Sequence, residues 1–267
     1  MARDGSQPND HGRKSRATTS SPSGTLYVVG TPIGHPDDIS IRALAILRHV
    51  AVIASEDPRV TQKLLAHHAI STTITSYGPL NRHEKILLLL HRLGQGQDIA
   101  LVSDNGTPVI YDPGSLLVAA AHRAGITVKA IPGPSAVTAA TAISGFSGDA
   151  IIFDGHLPST SLRLTEYLSQ FRMERKTLAF YVNPSALKRL LHILAQILPT
   201  RQIAVAMNLT THEETLARGR AGELLDQIGR LSKDSAVTVV IEGYTAESQT
   251  KKKGKTMPRT TRLRGGG

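Results

Sequence analysis

Four short loops carry the residue types that could do chemistry. They are rich in glycine, proline, hydroxyl and acidic side chains and follow apolar runs, at residues 30–34, 55–59, 103–108 (continuing to 112–114) and 132–135. Glycine and proline make rigid turns whose backbone can approach a ligand closely. A carboxylate such as Asp104 can accept hydrogen bonds from ribose hydroxyls or an ammonium group. A single loop of this kind is an ordinary strand–helix connection, whereas four at one edge of a sheet favour a binding cleft.

Alternating strands and helices must position these loops. Short β-rich apolar runs at 25–29, 50–54, 72–76, 98–102 and 127–131 are separated by segments of helical period. Ser40 precedes the first of those segments, where an N-cap is expected. The alternation predicts an α/β protein with a largely parallel sheet. Ligands of such sheets bind beyond the carboxyl ends of the strands, where these loops lie.

A second cycle of alternation begins near residue 150. It predicts strands at 150–153, 177–182, 202–207 and 236–242, and helices at 161–171, 185–197 and 221–231. Gly, Ser and Asp cluster between the two cycles, which indicates a domain boundary there. We therefore expect a disordered leader at 1–23, an N-terminal α/β domain at 24–147, a C-terminal α/β domain at 148–244 and a disordered basic tail at 245–267.

The net charge of +10 is concentrated at the two ends of the chain. Residues 1–23 carry +2 and residues 246–267 carry +6, which leaves about +2 for the middle. Basic tails favour phosphate backbones without sequence specificity. They are equally compatible with segments that only keep the protein soluble.

Several other classes of protein are poorly supported. The sequence has no Walker A motif, no G-x-G-x-x-G after the first strand and no G-x-S-x-G elbow. It has no cysteine, and its scattered histidines, including His67 and His68, lack the spacing of a metal site, so we expect no metal. No apolar run approaches the ~20 residues that span a bilayer, and the polar N-terminus lacks a secretory signal. We therefore expect a cytoplasmic protein that does not enter a membrane.

Taken in order and spacing, the loop segments resemble the tetrapyrrole-methylase superfamily, and within it the methyltransferases of small-subunit ribosomal RNA. The resemblance covers residues 24 to 243 and depends on six segments, LYVVGTPIG (26–34), DISIRAL (38–44), EDPRVTQKLL (56–65), ALVSDNGTP (100–108), DPG (112–114) and IPGPSA (131–136).

The resemblance implies two α/β domains of the class III methyltransferase type, with the cofactor in the cleft between them, and usually a homodimer. It implies S-adenosylmethionine as the cofactor, and as the reaction 2′-O-methylation of a cytidine ribose in the decoding region of 16S rRNA. Carried onto this sequence, the cofactor contacts are Pro32, Asp104, Gly106, Ser135, Ala136, Tyr181 and Leu209.

Methyl transfer from a sulfonium to a 2′-hydroxyl needs alignment and a base, but no metal. The candidate bases are Asp104 and Glu56, at the ends of the fourth and second strands. Arg59 is better suited to holding a phosphate than to proton transfer. The alternative to these roles is that Glu56 and Arg59 form a local ion pair beside the cleft.

The sequence also departs from the family pattern. Val109 stands where a glycine is usual and Tyr111 where a serine is usual, and Asn105 also differs. Charged residues are lost from the side where RNA should enter. Two alternatives therefore remain open, namely a methyltransferase of the same fold that acts on a tetrapyrrole or another acceptor, and a weakly active RNA-binding relative that assists ribosome assembly.

Overall fold

The computed structural model describes residues 23–78, 82–112, 114–155, 157–229 and 231–246. The predicted leader and basic tail lie outside the described residues, except for residues 23, 245 and 246. Within the described ranges the strands form two five-stranded sheets, one from each half of the chain. No helix in these ranges is both long enough and apolar enough to cross a membrane.

The first half alternates strands and helices much as the sequence predicts. Ser40 accepts a hydrogen bond from the Ala43 N–H and so caps the first helix, as expected. The elements are β1 (Thr25–Val29), α1 (Ile41–His49), β2 (Val52–Ser55), α2 (Pro58–His67), β3 (Ile74–Ser76), α3 (Arg82–Gly94), β4 (Ile99–Val102), α4 (Ser115–Arg123), β5 (Thr127–Ile131) and α5 (Ala136–Ser144).

The first sheet is parallel throughout, in the order β3-β2-β4-β1-β5. At its centre Val29 pairs with Val102 on one side and with Ile131 on the other. The neighbouring β4 residues Leu101 and Val102 belong to different buried apolar clusters. Since adjacent strand residues point to opposite faces, the sheet is covered on both. The carboxyl ends of its strands therefore meet at one edge.

The second half also has strands and helices where they were predicted, with one additional strand. Its elements are β6 (Ile151–Asp154), α6 (Ser161–Ser169), β7 (Thr177–Val182), α7 (Pro184–Ile197), β8 (Gln202–Met207), β9 (Thr215–Arg220), α8 (Ala221–Gln227) and β10 (Val237–Ile241).

The second sheet is mixed, in the order β6-β7-β10-β8-β9. Only β6 and β7 pair in parallel, whereas the other three neighbouring pairs are antiparallel. The expectation of a largely parallel sheet is therefore right for the first half and wrong for the second, while the α/β class is confirmed. The connection from β8 to β9 spans residues 208–214, which is shorter than a parallel crossover requires.

Strand β9 was not predicted from the sequence. Its residues, TLARGR, include a glycine and two arginines instead of a β-branched run. It lies at the edge of the second sheet, where charged side chains are common because they discourage further strand pairing. Its pairing with β8 thus depends on the tertiary structure more than on local propensity.

Helix α5 belongs to the first half in sequence but packs on the second sheet. Its Ala140 is buried against Ala204, Ala206 and Val240 of β8 and β10. The small side chains of α5 let the helix backbone approach the sheet closely. The two halves therefore share an apolar interface.

The second half also buries an arginine. Arg201 is 2% exposed, and its guanidinium donates to the backbone carbonyls of Phe171, Arg172, Glu174 and Glu242. Because every one of these acceptors is main chain, the side chain ties the 171–174 turn to the end of β10.

Candidate active site

The loops at the carboxyl edge of the first sheet are joined by hydrogen bonds. The Thr31 N–H donates to the Gly106 carbonyl (2.9 Å), and the Gly106 N–H donates back to Pro32 (3.3 Å). Thr107 Oγ1 donates to the Pro134 carbonyl at 3.3 Å. Three of the four loops identified in the sequence thus form one backbone framework.

Glycine is required at two places in this framework. A Cβ on Gly30 would lie 2.7 Å from the Cα of Gly133, so these two loops can approach only because both residues lack side chains. Gly106 has φ +85°, a left-handed conformation that L side chains rarely adopt. The backbone there is shaped for close approach, as the Gly/Pro composition predicts.

A cleft of about 630 Å³ opens above this framework and lies between the two halves. Its volume is within the range of ordinary cofactor and ligand sites. The first half contributes Ile33, Glu56, Ser103, Asp104, Asn105, Ile110, Tyr111, Asp112 and Ala136, and the second half contributes residues that include Gly155, Tyr181, Asn183, Asn208, Thr211 and Asp234.

Three carboxylates meet on the first-half side of the cleft. Burial, followed by the negative charges of Asp112 and Asp104, raises the pKa of Glu56 to about 7. Asp112 Oδ1 accepts the Gly114 N–H, but its buried Oδ2 has no hydrogen-bond partner within the described ranges. A side-chain hydrogen bond between Glu56 and Asp112 also favours the protonated form of Glu56. Near neutral pH, Glu56 can therefore either hold or accept a proton.

Asp104 is held differently from Glu56. Its Oδ1 accepts the backbone N–H of Asp57 at 2.9 Å, which fixes the side chain across the loops that follow β2 and β4. Burial raises the pKa of Asp104, while the hydrogen bond from Asp57 opposes that shift. Its position is thus set by a backbone hydrogen bond to one of its two carboxylate oxygens.

The structure brings most of the predicted site residues to this cleft. Glu56, Asp104, Ala136 and Tyr181 line it directly. Pro32 borders an adjoining hollow of about 290 Å³ that also reaches Asp104. Gly106 lies in the framework beneath.

The predicted contacts from the second domain occupy different positions. Tyr181 reaches across to Ser135 and the start of α5, and burial raises its pKa. Leu209 is instead buried in the apolar interface behind the cleft, against Ile33 and Ala136. Only Tyr181 of these two lines the cleft.

Arg59 lies outside the residues that line the cleft. It is exposed and makes a two-point contact with Asp57, with Nη2 at 2.9 Å and Nε at 3.2 Å from the carboxylate. An ion pair involving Arg59 is therefore present, but its partner is Asp57 and not Glu56.

Sequence reasoning did not assign a role to Asp112, although it lies in the recognised segment at 112–114. Its side chain meets Glu56 only after the loop that follows β4 has turned back towards β2, which residue spacing does not reveal. The signal available in the sequence was its place in that segment, directly after Tyr111.

Two departures from the family pattern have a structural counterpart. Val109 has φ 77° and Tyr111 has φ 62°, both in the left-handed region that favours glycine. The glycine usual at position 109 would adopt this backbone without strain, whereas valine does so at a cost. Val109 and Tyr111 therefore both hold a backbone conformation that disfavours their side chains.

The histidine pair at 67–68 has an acidic neighbour that spacing alone does not predict. His67 Nε2 lies 2.8 Å from Asp37 Oδ1, and His68 Nε2 lies 3.0 Å from the Pro36 carbonyl oxygen. Asp37 is thirty residues earlier in the chain. These contacts attach α2 to the loop after β1 at the surface, and the expectation of no metal stays a prediction.

Comparison with known proteins identifies the family to which this chain belongs. The model of the family described as Tetrapyrrole (Corrin/Porphyrin) Methylases matches residues 25–225. Ribosomal RNA small subunit methyltransferase I of Thermotoga maritima is 38% identical over 220 residues, 82% of this chain and 99% of that protein. The protein of the same name from Escherichia coli O157:H7 is 37% identical over 85% of this chain and 80% of its own length.

Solved structures share the fold at low sequence identity. Diphthine synthase aligns with a TM-score of 0.63 and 15% identity, over 85% of this chain and 94% of that one. Uroporphyrin-III C-methyltransferase from Thermus thermophilus, in complex with S-adenosyl homocysteine, aligns with a TM-score of 0.58 and 18% identity, over 82% of this chain and 97% of that one. At such identities these likenesses establish the fold alone.

Proposed function

The chain belongs to the tetrapyrrole (corrin/porphyrin) methylase family, and from that premise we propose that it transfers a methyl group from S-adenosylmethionine to the 2′-hydroxyl of a cytidine in the decoding region of 16S rRNA. The observation that carries the proposal is the cleft between the halves, where Glu56, with a pKa of about 7, lies beside the backbone-anchored Asp104. Relatives named for small-subunit rRNA methylation at 37–38% identity support the choice of acceptor.

The residues present fit S-adenosylmethionine. Gly106 and the Gly30–Gly133 contact leave the backbone open where a Cβ would intrude, and the cleft volume is large enough for a nucleoside cofactor. Asp104 would accept hydrogen bonds from the ribose or the ammonium group through the oxygen that Asp57 does not occupy. The other predicted contacts would complete the site, namely Pro32, Gly106, Ser135, Ala136, Tyr181 and Leu209. Leu209 would act through the apolar interface behind the cleft.

S-adenosylmethionine supplies an electrophilic methyl group when bound. The protein must then align the acceptor hydroxyl and remove its proton. We assign the proton to Glu56, because a base with a pKa near the working pH is most effective and because Asp104 is already held by a backbone N–H. Arg59, being exposed, is placed to contact an RNA phosphate.

The retained carboxylates favour an active methyltransferase over an inactive assembly factor. A tetrapyrrole acceptor is disfavoured because porphyrin precursors carry carboxylate arms, which Glu56, Asp104, Asp112 and Asp234 would repel. A nucleobase and its ribose bring no negative charge to the cleft wall, since their phosphates can remain outside.

Transfer of tritiated methyl groups to small ribosomal subunits tests the proposal directly. Subunits from a strain that lacks this methylation should accept label, and nucleoside digestion with mass spectrometry should identify 2′-O-methylcytidine. Label on a tetrapyrrole and never on rRNA would reject the proposed acceptor. Failure to bind S-adenosylmethionine and its demethylated product in calorimetry would reject the enzyme altogether.

We further propose that the protein acts in the cytoplasm as a homodimer. The family resemblance implies a homodimer, and Ile41, Leu162 and Met173 are large apolar side chains that are exposed on the single chain. Light scattering after size exclusion should give a mass near twice the 28.6 kDa of one chain. A monomer mass at micromolar concentration would contradict this.

A further inference from the structure

We propose that Tyr111 forms a nucleobase subsite, a platform on which the base of the acceptor nucleotide stacks. The inference rests on the proposed function and goes beyond it, because it assigns a residue and a ligand chemistry to the acceptor side of the cleft. Tyr111 lines the cleft, and the residue is 60% exposed. Its neighbour Ile110 is also exposed and lines the same wall.

The ring is supported from the second half of the chain. A Cβ on Gly155 would lie 2.4 Å from Tyr111 Cδ2 and 2.7 Å from Cγ, so the ring packs directly on the glycine backbone. The Tyr181 ring stands edge-on to it with centroids 6.0 Å apart, and Phe153 packs against Tyr181 at 4.9 Å. Tyr111 is thus held by Gly155, which follows β6, and by Tyr181 of β7, while the residue remains exposed.

The backbone presents this ring at an energetic cost. Tyr111 and Val109 both have positive φ, and for residues other than glycine each such conformation costs roughly 1–3 kcal/mol. Strain of this kind persists where the surrounding structure enforces it and is concentrated at ligand sites. Here the surroundings are the hydrogen-bonded loops beneath and the Gly155 contact opposite.

The neighbouring groups select a nucleobase over other flat ligands. Asp112 follows Tyr111 directly and interacts with Glu56, so the ring and the proposed proton acceptor line the same cleft. Aromatic side chains stack with unpaired bases of RNA. An acidic wall also suits a base with an exocyclic amino donor, such as cytosine, because carboxylates accept from such groups.

Kinetics with small ribosomal subunits test the platform. Tyr111→Phe retains the ring and should keep the KM for subunits within about twofold. Tyr111→Leu keeps apolar bulk without a π face and should raise that KM about tenfold or more, as expected for loss of a stacked base. The affinity for S-adenosylmethionine, measured by calorimetry, should stay the same in both variants.

The Gly155 contact provides a second, independent test. Gly155→Ala adds the Cβ that would displace the ring, and it should raise the KM for subunits in the wild-type background but have little effect when combined with Tyr111→Leu. Additive effects in the double variant, or an unchanged KM in Tyr111→Leu, would overturn the platform while the proposed function stands. If wild-type protein binds the cofactor but methylates no rRNA, the proposed function fails, and the nucleobase subsite fails with it. A loss in Tyr111→Leu that is seen only with a tetrapyrrole acceptor would assign the ring to that ligand.

Discussion

Within the described residues, the buried Arg201 and the half-buried carboxylates of the cleft hold their charges in opposite ways. In the second half, the Arg201 guanidinium is surrounded by main-chain carbonyls that satisfy its donors. In the cleft, the negative charges of Asp112 and Asp104 help to raise the pKa of Glu56, and Asp112 Oδ2 has no hydrogen-bond partner among the described residues. A buried charge whose hydrogen bonds are satisfied contributes to structure. Carboxylates that repel one another instead raise a pKa towards the working pH, where a reaction can use the proton acceptor. The comparison predicts that changes at Arg201 alter folding and that changes in the cleft alter chemistry.

The largest expected effect is on catalysis at Glu56. Glu56→Gln cannot take a proton, so kcat should fall by roughly 10²–10⁴-fold while the protein remains folded. In the wild type, kcat/KM should rise with pH up to about 7 and then level, because Glu56 accepts a proton only when ionised. Initial rates of methyl transfer from pH 5.5 to 8.5 would show both effects.

Asp112 offers a way to move that pH profile. Its negative charge helps to raise the pKa of Glu56, so Asp112→Asn should shift the rising limb towards lower pH. Asp234→Asn is the matched control, since Asp234 lines the cleft but is not among the causes of the Glu56 shift. A limb that stays in place in Asp112→Asn, or moves equally in the control, would mean that the carboxylates do not act together.

The matching change in the second half should affect stability instead. Arg201→Met leaves several carbonyls unpaired and should destabilise the protein by about 3–5 kcal/mol, lowering Tm by roughly 10 °C. Arg123→Met, at the exposed end of α4, should have little effect. Calorimetric melting measures both. Cofactor affinity of the folded Arg201→Met protein at low temperature should be unchanged. A selective loss of binding would contradict the assignment of Arg201 to stability alone.

Asp104 is expected to contribute to binding and not to proton transfer. Asp104→Ala should weaken S-adenosylmethionine binding by roughly 10–100-fold, the range for a lost charged hydrogen bond. Asp38→Ala, an exposed carboxylate beyond the cleft, is the control. Titration calorimetry decides the outcome, and an unchanged affinity would place the cofactor elsewhere.

The smallest effect concerns stability at the cleft itself. The pKa of Glu56 is raised from 4.5 to about 7, so its contribution is favourable below pH 4.5 and is lost as the pH rises through 7. Glu56→Gln should therefore increase Tm relative to wild type at pH 8 but not at pH 4.5. Because the carboxyl is partly solvated, the gain should be only roughly 2–4 °C. No pH dependence of this difference would contradict the assigned repulsion.

Much of this architecture could be predicted from the sequence because it depends on local pattern. Apolar runs locate the strands, and glycine and proline after them locate the loops that form the cleft. Strand β9 was not predicted because its glycine and arginines have little local preference for a strand, and it pairs only with β8. Arg201 would be placed at the surface by its charge, since its carbonyl partners come from two distant segments.

The candidate site could be predicted only in part, for a similar reason. Its loops are local features, and Asp104 and Glu56 both follow strands directly. The contact of Asp112 with Glu56 and the packing of Tyr111 on Gly155 depend on how the β4 loop folds back and on how the two halves meet. Neither relationship is encoded in residue spacing along one element.

The position of α5 has a consequence for taking the protein apart. A gene fragment that stops at residue 147 would produce a first half with the alanine face of α5 uncovered, and the complementary fragment would lack the helix that shields β8 and β10. We therefore expect neither piece to fold alone, although the linear sequence suggests a boundary there. Co-expressed fragments should instead associate through α5 and fold together. This junction therefore suits a split-protein reporter in which methyl transfer returns only upon reassembly.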